Sequence, residues 1–260
     1  MTYGEILALF GSALAAGAIN AVAGGGTMLT FPALILSGTG AVAANATSTF
    51  ALTVGTAGSL FGFRSYWPII RVWMWRFVPV SIAGSLFGSW LVRHQGEAYF
   101  VRAVPWLLLF ATVLFVLQEP LRRWRRRRSQ GPAEPDKTFP VAACVLMQAG
   151  VAVYGGYFGA GIGILMLSVL GLMGMREIHS MNALKNLLAA VINGTASLYF
   201  VLTGLVNGPR ALVMLAGAVP GYWLGAHFSQ KIPPQAVRAV VVAIGLILTV
   251  LMFWKMLVGG

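Results

Sequence analysis

A chain of 260 residues that is 58% hydrophobic and only 9% charged is not an ordinary soluble domain, in which charged residues make up about 25%. Its formal net charge of +12 is read as membrane topology rather than nucleic-acid binding, because Lys and Arg collect on the cytoplasmic side of membrane proteins. The single cysteine, Cys144, excludes an intrachain disulfide and a cysteine-rich metal centre, and is expected to be a buried structural thiol.

The apolar residues fall in runs of about 20 separated by short polar joints, the pattern of membrane helices. Residues 1–10 hold Glu5 but no Lys or Arg, so the basic leader of a cleavable signal is missing and the first helix is expected to be retained. Residues 5–36 are too long for one simple span and are interrupted at Gly24, Gly25 and Gly26, followed by Thr27 and Pro32. In a helix interior glycine costs about 1 kcal/mol and proline about 3 relative to alanine. We therefore expect a helix, a break, and a short second helix from Met28 to Leu36. Residues 43–62 predict the next helix, with Asn45 near its start. Residues 64–76 read as a basic loop whose Trp67, Trp73 and Trp75 suit an interfacial belt, and 77–92 and 99–118 as two spans joined by Arg93–Glu97. Residues 121–138, with Arg122–Arg128 interrupted only by Trp124, read as a cytoplasmic linker in contact with anionic lipid heads.

The second half repeats the plan. Residues 139–173 form a long run broken around Gly155–Gly163, 180–203 a helix with Asn182 near its start, and 210–229 and 236–257 two further spans. Gly84-xxx-Gly88-Ser-Trp90-Leu91 matches Gly217-xxx-Gly221-Tyr-Trp223-Leu224, and Val101-Arg-Ala-Val104 matches Val237-Arg-Ala-Val240. The expected fold is an all-α polytopic membrane protein with a first repeat at 1–120, the linker at 121–138 and a second repeat at 139–260. If each broken segment goes in and comes back, the repeats are inverted and Arg176, Lys231 and Arg238 share the cytoplasm with the linker. The positive-inside rule favours that arrangement over a parallel one.

Asn45, Ser48, Thr49, Thr53 and Thr56 share one helix face, as do Asn182, Lys185, Asn186 and Asn193. Ser and Thr on such a face also serve as interhelical ties. A lysine inside a membrane segment points to function, set against snorkelling of its head to an interface. Helix breaks expose N–H groups at positive dipole ends, which attract anions. The carboxylates Glu5, Glu97, Glu119, Glu134, Asp136 and Glu177 lie near segment ends or in loops, so a small anion suits the pathway better than a cation or a carboxylate proton relay. No catalytic triad, metal-ligand cluster or phosphate loop stands out; Gly159-x-Gly161-x-Gly163 follows no strand. An enzyme, a resident cofactor, a metal and a nucleic-acid partner are not expected.

Gly24-Gly-Gly-Thr-Met-Leu-Thr-Phe-Pro32-Ala-Leu, followed by Ala44-Asn-Ala-Thr-Ser48, resembles the signature of the TauE/SafE sulfite exporter family, and Asn182-Ala-Leu-Lys185 with the second glycine segment resembles that family's repeat. The resemblance covers essentially the whole chain. It implies a permease for sulfite, organosulfonates or similar anions in a bacterial-type inner membrane. The expected site joins the amides of Gly24, Gly25, Gly26 and Thr27 to those of Gly159, Gly161 and Gly163. Lys185 supplies charge, and Asn45, Ser48, Asn182 and Asn186 orient the anion. The alternative is a non-transporting scaffold or receptor module whose glycines serve packing. The residues leave direction, coupling ion and any homo-oligomer open.

Overall fold

The computed structural model of the chain describes residues 1–22, 25–59, 66–130, 140–175, 177–228 and 234–258. Gly24, Arg64, Arg176, Lys231 and residues 131–138 of the expected linker lie outside them. The described residues are helical in the order α1 (Tyr3–Val22), α2 (Thr27–Leu36), α3 (Ala41–Ser59), α4 (Trp67–Gln130), α5 (Val141–Tyr157), α6 (Ile162–Leu172), α7 (Ile178–Leu202), α8 (Gly208–Phe228) and α9 (Pro234–Val258). Both expected interruptions are present, between α1 and α2 and between α5 and α6. At 10 and 11 residues, α2 and α6 are each about half the length needed to cross a bilayer.

Helix α4 bends at Gly96, whose φ of 76° and ψ of 168° leave the helical region, so the two spans expected on either side of Arg93–Glu97 are its two limbs. Two details differ from the sequence reading. Trp67–Arg76 is the first part of α4 rather than a loop, because Pro68 is harmless in a first turn, where its missing N–H has no intrahelical partner. At the other end α4 runs on to Gln130. Arginine is a strong helix former, and no glycine follows Gly96 until Gly131.

The two glycine pairs explain the packing. Gly217, Gly221 and Gly225 bring α8 against the backbone of α1 at Phe10, Leu14 and Ala18. A methyl group on Gly17 of α1 would stand 2.5 Å from the Ala218 carbonyl oxygen. The first limb of α4 meets α5 in the same way: a methyl on Gly84 would lie 2.9 Å from the Ala149 oxygen, and Gly88 faces the Val153 carbonyl. Small residues allow such close backbone approach where lipid offers no hydrophobic drive between helices. The first helix of each half thus packs on the fourth segment of the other, and α3 crosses α7, where Thr53 Oγ1 and Ser197 Oγ lie 2.7 Å apart.

Among the described residues three stretches, Tyr3–Ala21, Trp67–Leu117 and His179–Leu202, are long and apolar enough to cross a membrane; the middle one contains the Gly96 bend. Large apolar side chains such as Leu7, Trp75, Leu212, Trp223 and Trp254 stand exposed on the outside of the bundle. That surface is costly in water and suited to lipid.

Candidate functional site

The glycines at the breaks do what no other residue does cheaply. Gly25 (φ 96°), Gly159 (φ 81°) and Gly161 (φ 78°) are left-handed, a conformation that costs a residue bearing a Cβ roughly 1–2 kcal/mol. After Val22 the chain doubles back along α1, so that a methyl on Gly26 would lie 2.8 Å from the Ala16 oxygen and 3.3 Å from Asn20 Cβ. After Tyr157 it doubles back as well, and the Ile162 side chain reaches Gly155.

Two of the expected amide donors are engaged within the protein. Gly26 N–H donates to Asn20 Oδ1 (3.3 Å), and Gly159 N–H to the Tyr154 carbonyl (3.2 Å). The leading N–H groups of α6, at Ile162 and Gly163, have no earlier carbonyl of their own helix to take, as at every helix start. Thr27 opens α2 in the same position and is partly buried.

The two breaks meet. Phe115, wholly buried on the second limb of α4, lays the tip of its ring against Gly25, and the same ring lies 3.8 Å from where a methyl on Gly161 would be. Phe31 of α2 packs edge-on against Phe158 at the second break, with ring centroids 5.5 Å apart. Helix α3 binds both. Asn45 Nδ2 donates to the Tyr157 carbonyl at the end of α5 (2.9 Å), and Ser48 Oγ lies 2.6 Å from Thr30 Oγ1, whose hydroxyl reaches the Gly26 carbonyl (3.2 Å). Asn45, Ser48 and Thr30 are fully buried.

Lys185 is partly buried, and its Cδ lies 3.5 Å from a methyl placed on Gly163, so its stem passes the first turn of α6. Asn182 and Asn186 are partly exposed on α7 beside it. Gly161, Gly163 and Lys185 are thus neighbours, while Asn45, Ser48 and Gly25 join the second break to the first. Thr53 and Asn193, from the two polar faces, instead tie α3 to α7: Thr53 Oγ1 reaches the Asn193 carbonyl at 3.3 Å.

Carboxylates already occupy the starts of α3 and α7. Glu97, just past the α4 bend, accepts from the N–H groups of Ala41 and Val42, the latter at 3.1 Å. Glu177 caps α7 by accepting from His179 N–H (2.8 Å) and Ser180 N–H (2.5 Å). Desolvation is the largest single influence and pushes the Glu177 carboxyl up, but the Ser180 and His179 hydrogen bonds and the His179 charge together outweigh it and hold the carboxyl below its ordinary value. An outside anion therefore has little claim on the starting N–H groups of α3 or α7.

Sequence reasoning missed Asn20, Thr30, Phe115, Glu97 and Ser89. Asn20 could have been found by the logic that picked out Asn45, as an amide inside an apolar run just before a break. Phe115 carried no signal; it is one of 15 phenylalanines, and only the tertiary fold sets it between the breaks. A surface groove of about 610 Å³ along the start of α4, lined by Trp67, Arg71, Met74 and Trp75 among others, contains none of the expected site residues. Among the described residues no group of three His, Cys, Asp or Glu gathers to hold a metal ion.

Apolar exterior, span-length helices and two buried, glycine-broken helix pairs define a multi-pass helical membrane protein. The model of the sulfite exporter TauE/SafE family matches residues 9–252, and the chain belongs to that family. It is 26% identical to a "Probable membrane transporter protein" of Haemophilus influenzae, over 95% of this chain and 93% of the relative. It is 25% identical to "Probable membrane transporter protein YfcA" of Escherichia coli K12, over 93% and 87%. No solved structure matches the chain.

Proposed function

We propose that the protein is a secondary transporter for small sulfur-containing anions such as sulfite or organosulfonates. The anion sits where the two breaks meet, against the N–H groups that open α6, at Gly161, Ile162 and Gly163, and those around Gly25 and Thr27 that open α2. Lys185 supplies the compensating charge. Asn45 and Ser48 hold the two breaks in register, and Asn182 and Asn186 face the solute from α7. The observation that carries this reading is the convergence of both breaks on one another through Phe115, Asn45 and Ser48. Two half-length helices then direct their positive ends into one region. The family's description as sulfite exporters supports the choice of anion.

The doubling back after both breaks supports inverted repeats, since it makes the number of crossings in each half odd. The exchanged packing of α1 on α8 and α5 on α4 suits one repeat rocking against the other. A packing-only role for the glycines explains Gly84, Gly88, Gly217 and Gly221. It also accommodates left-handed glycines, as helix caps and chain reversals, but gives no reason for a lysine beside one of the breaks. The test is sulfite flux into proteoliposomes by wild type and by Lys185→Met, with melting temperature as a check on folding. Flux in wild type and its loss in a folded Lys185→Met protein is the expected result. Equal flux in both removes Lys185 from the site.

A further inference from the structure

The second break has two chemically opposite faces, and only the N–H face is used by an anion. In an unbroken helix the carbonyls of Gly155, Gly156 and Tyr157 would receive the N–H groups of residues 159, 160 and 161. Here Gly159 N–H turns back to Tyr154 instead, so the end of α5 collects carbonyls that need other donors. Side chains meet part of that need: Ser89 Oγ, fully buried, donates to Gly156 (3.1 Å), and Asn45 Nδ2 donates to Tyr157 (2.9 Å). The amide that serves Tyr157 leaves its own oxygen stranded. Asn45 Oδ1 is buried and, among the described residues, accepts no hydrogen bond. A buried, unsatisfied acceptor costs about 1–3 kcal/mol, and this one lies at the negative end of a helix.

We propose that Asn45 Oδ1 and the frayed carbonyl end of α5 at Tyr157 supply two oxygens of a site for a monovalent cation of the sodium type, whose remaining ligands are water, bound alongside the anion. Oxygen ligands suit a hard cation, and unwound carbonyls with helix C-terminal ends are the means by which broken membrane helices coordinate one. Both named ligands are neutral, so the site compensates one charge better than two, which favours a monovalent ion over a divalent one. The inference deepens the transport reading and rests on it for its purpose: a cation held next to the anion lowers the electrostatic cost of carrying a negative solute through a low-dielectric interior.

The binding itself is tested without any anion. The full-length protein in detergent is melted in sodium chloride and in choline chloride at equal ionic strength. Sodium is expected to raise the melting temperature by something on the order of 3 °C. Asn45→Leu abolishes that response. Asn45→Asp, which adds a carboxylate beside the cation, moves the midpoint of the sodium titration about tenfold lower. Identical melting in the two salts overturns the proposal and leaves Asn45 Oδ1 to a buried water. So does a sodium response that survives in Asn45→Leu. If Asn45→Leu does not fold, an unchanged sodium midpoint in Asn45→Asp overturns it as well. A sodium response in a protein that carries no sulfite refutes the anion assignment alone and leaves the cation site standing.

Discussion

Gly161→Ala isolates the backbone geometry of the second break from everything around it. The added methyl has room: its nearest neighbours are Leu114 Cδ1 at 3.4 Å and Leu114 Cβ at 3.7 Å, ordinary contacts that need little yielding. The cost therefore comes almost wholly from holding a Cβ-bearing residue at a φ of 78°, roughly 1–2 kcal/mol. Gly194→Ala on α7 is the matched control. Its methyl meets nothing within 4 Å and its φ is ordinary, so alanine gains up to about 1 kcal/mol of helix propensity. For a chain of this size 1 kcal/mol moves the melting temperature by about 2–4 °C. Gly161→Ala should thus melt roughly 2–8 °C below wild type, with Gly194→Ala at or above it, in a fluorescence-detected melt in detergent. If Gly161→Ala melts with wild type, the left-handed turn is not needed and the reasoning about the break fails.

Asn20→Ala leaves the buried Gly26 N–H without its acceptor and deprives Tyr222 of a partner; the loss should be about 1–3 kcal/mol, read as a lowered melting temperature. Gly221→Leu drives a side chain into the Leu14 backbone, whereas Gly11→Leu on α1 meets open space. The first should cost more than about 3 kcal/mol and break up the monodisperse protein in gel filtration, and the second should not. Glu177 has a lowered folded-state pKa, so its stabilisation is complete above the ordinary carboxyl range and disappears as pH falls through the lowered value. Glu177→Gln should melt lower than wild type near neutral pH and converge with it in acid; a constant gap across that range contradicts the role given to the carboxylate.

Much of the fold was legible because membrane helices announce themselves in one dimension. Runs of apolar residues gave the helices, glycines gave both breaks, the polar joint Arg93–Glu97 marked where α4 bends, and the repeated Gly-xxx-Gly pairs marked two close helix contacts. Trp67–Arg76 looked like a loop because charge was taken for irregular structure, yet arginine favours helix and the stretch opens α4, which at its other end runs on into the basic linker as far as Gln130. At the site, Asn45 and Ser48 were visible as costly polar residues on one face. What could not be read is who meets whom. That Asn45 reaches across to Tyr157 of the other half, that Phe115 lies against both breaks, and that Glu97 caps α3 from a distant bend are consequences of the exchanged packing of the halves. Nor does a glycine run reveal that Asn20 and Tyr154 already take the N–H groups of Gly26 and Gly159.

The most direct test of the central claim is an experimental structure of the protein saturated with sulfite. A tetrahedral or pyramidal density between the starts of α2 and α6, within hydrogen-bonding reach of the Ile162 and Gly163 amides and of Lys185 Nζ, is the predicted result. Sulfite bound elsewhere, with the Lys185 ammonium turned to the headgroups, would contradict it.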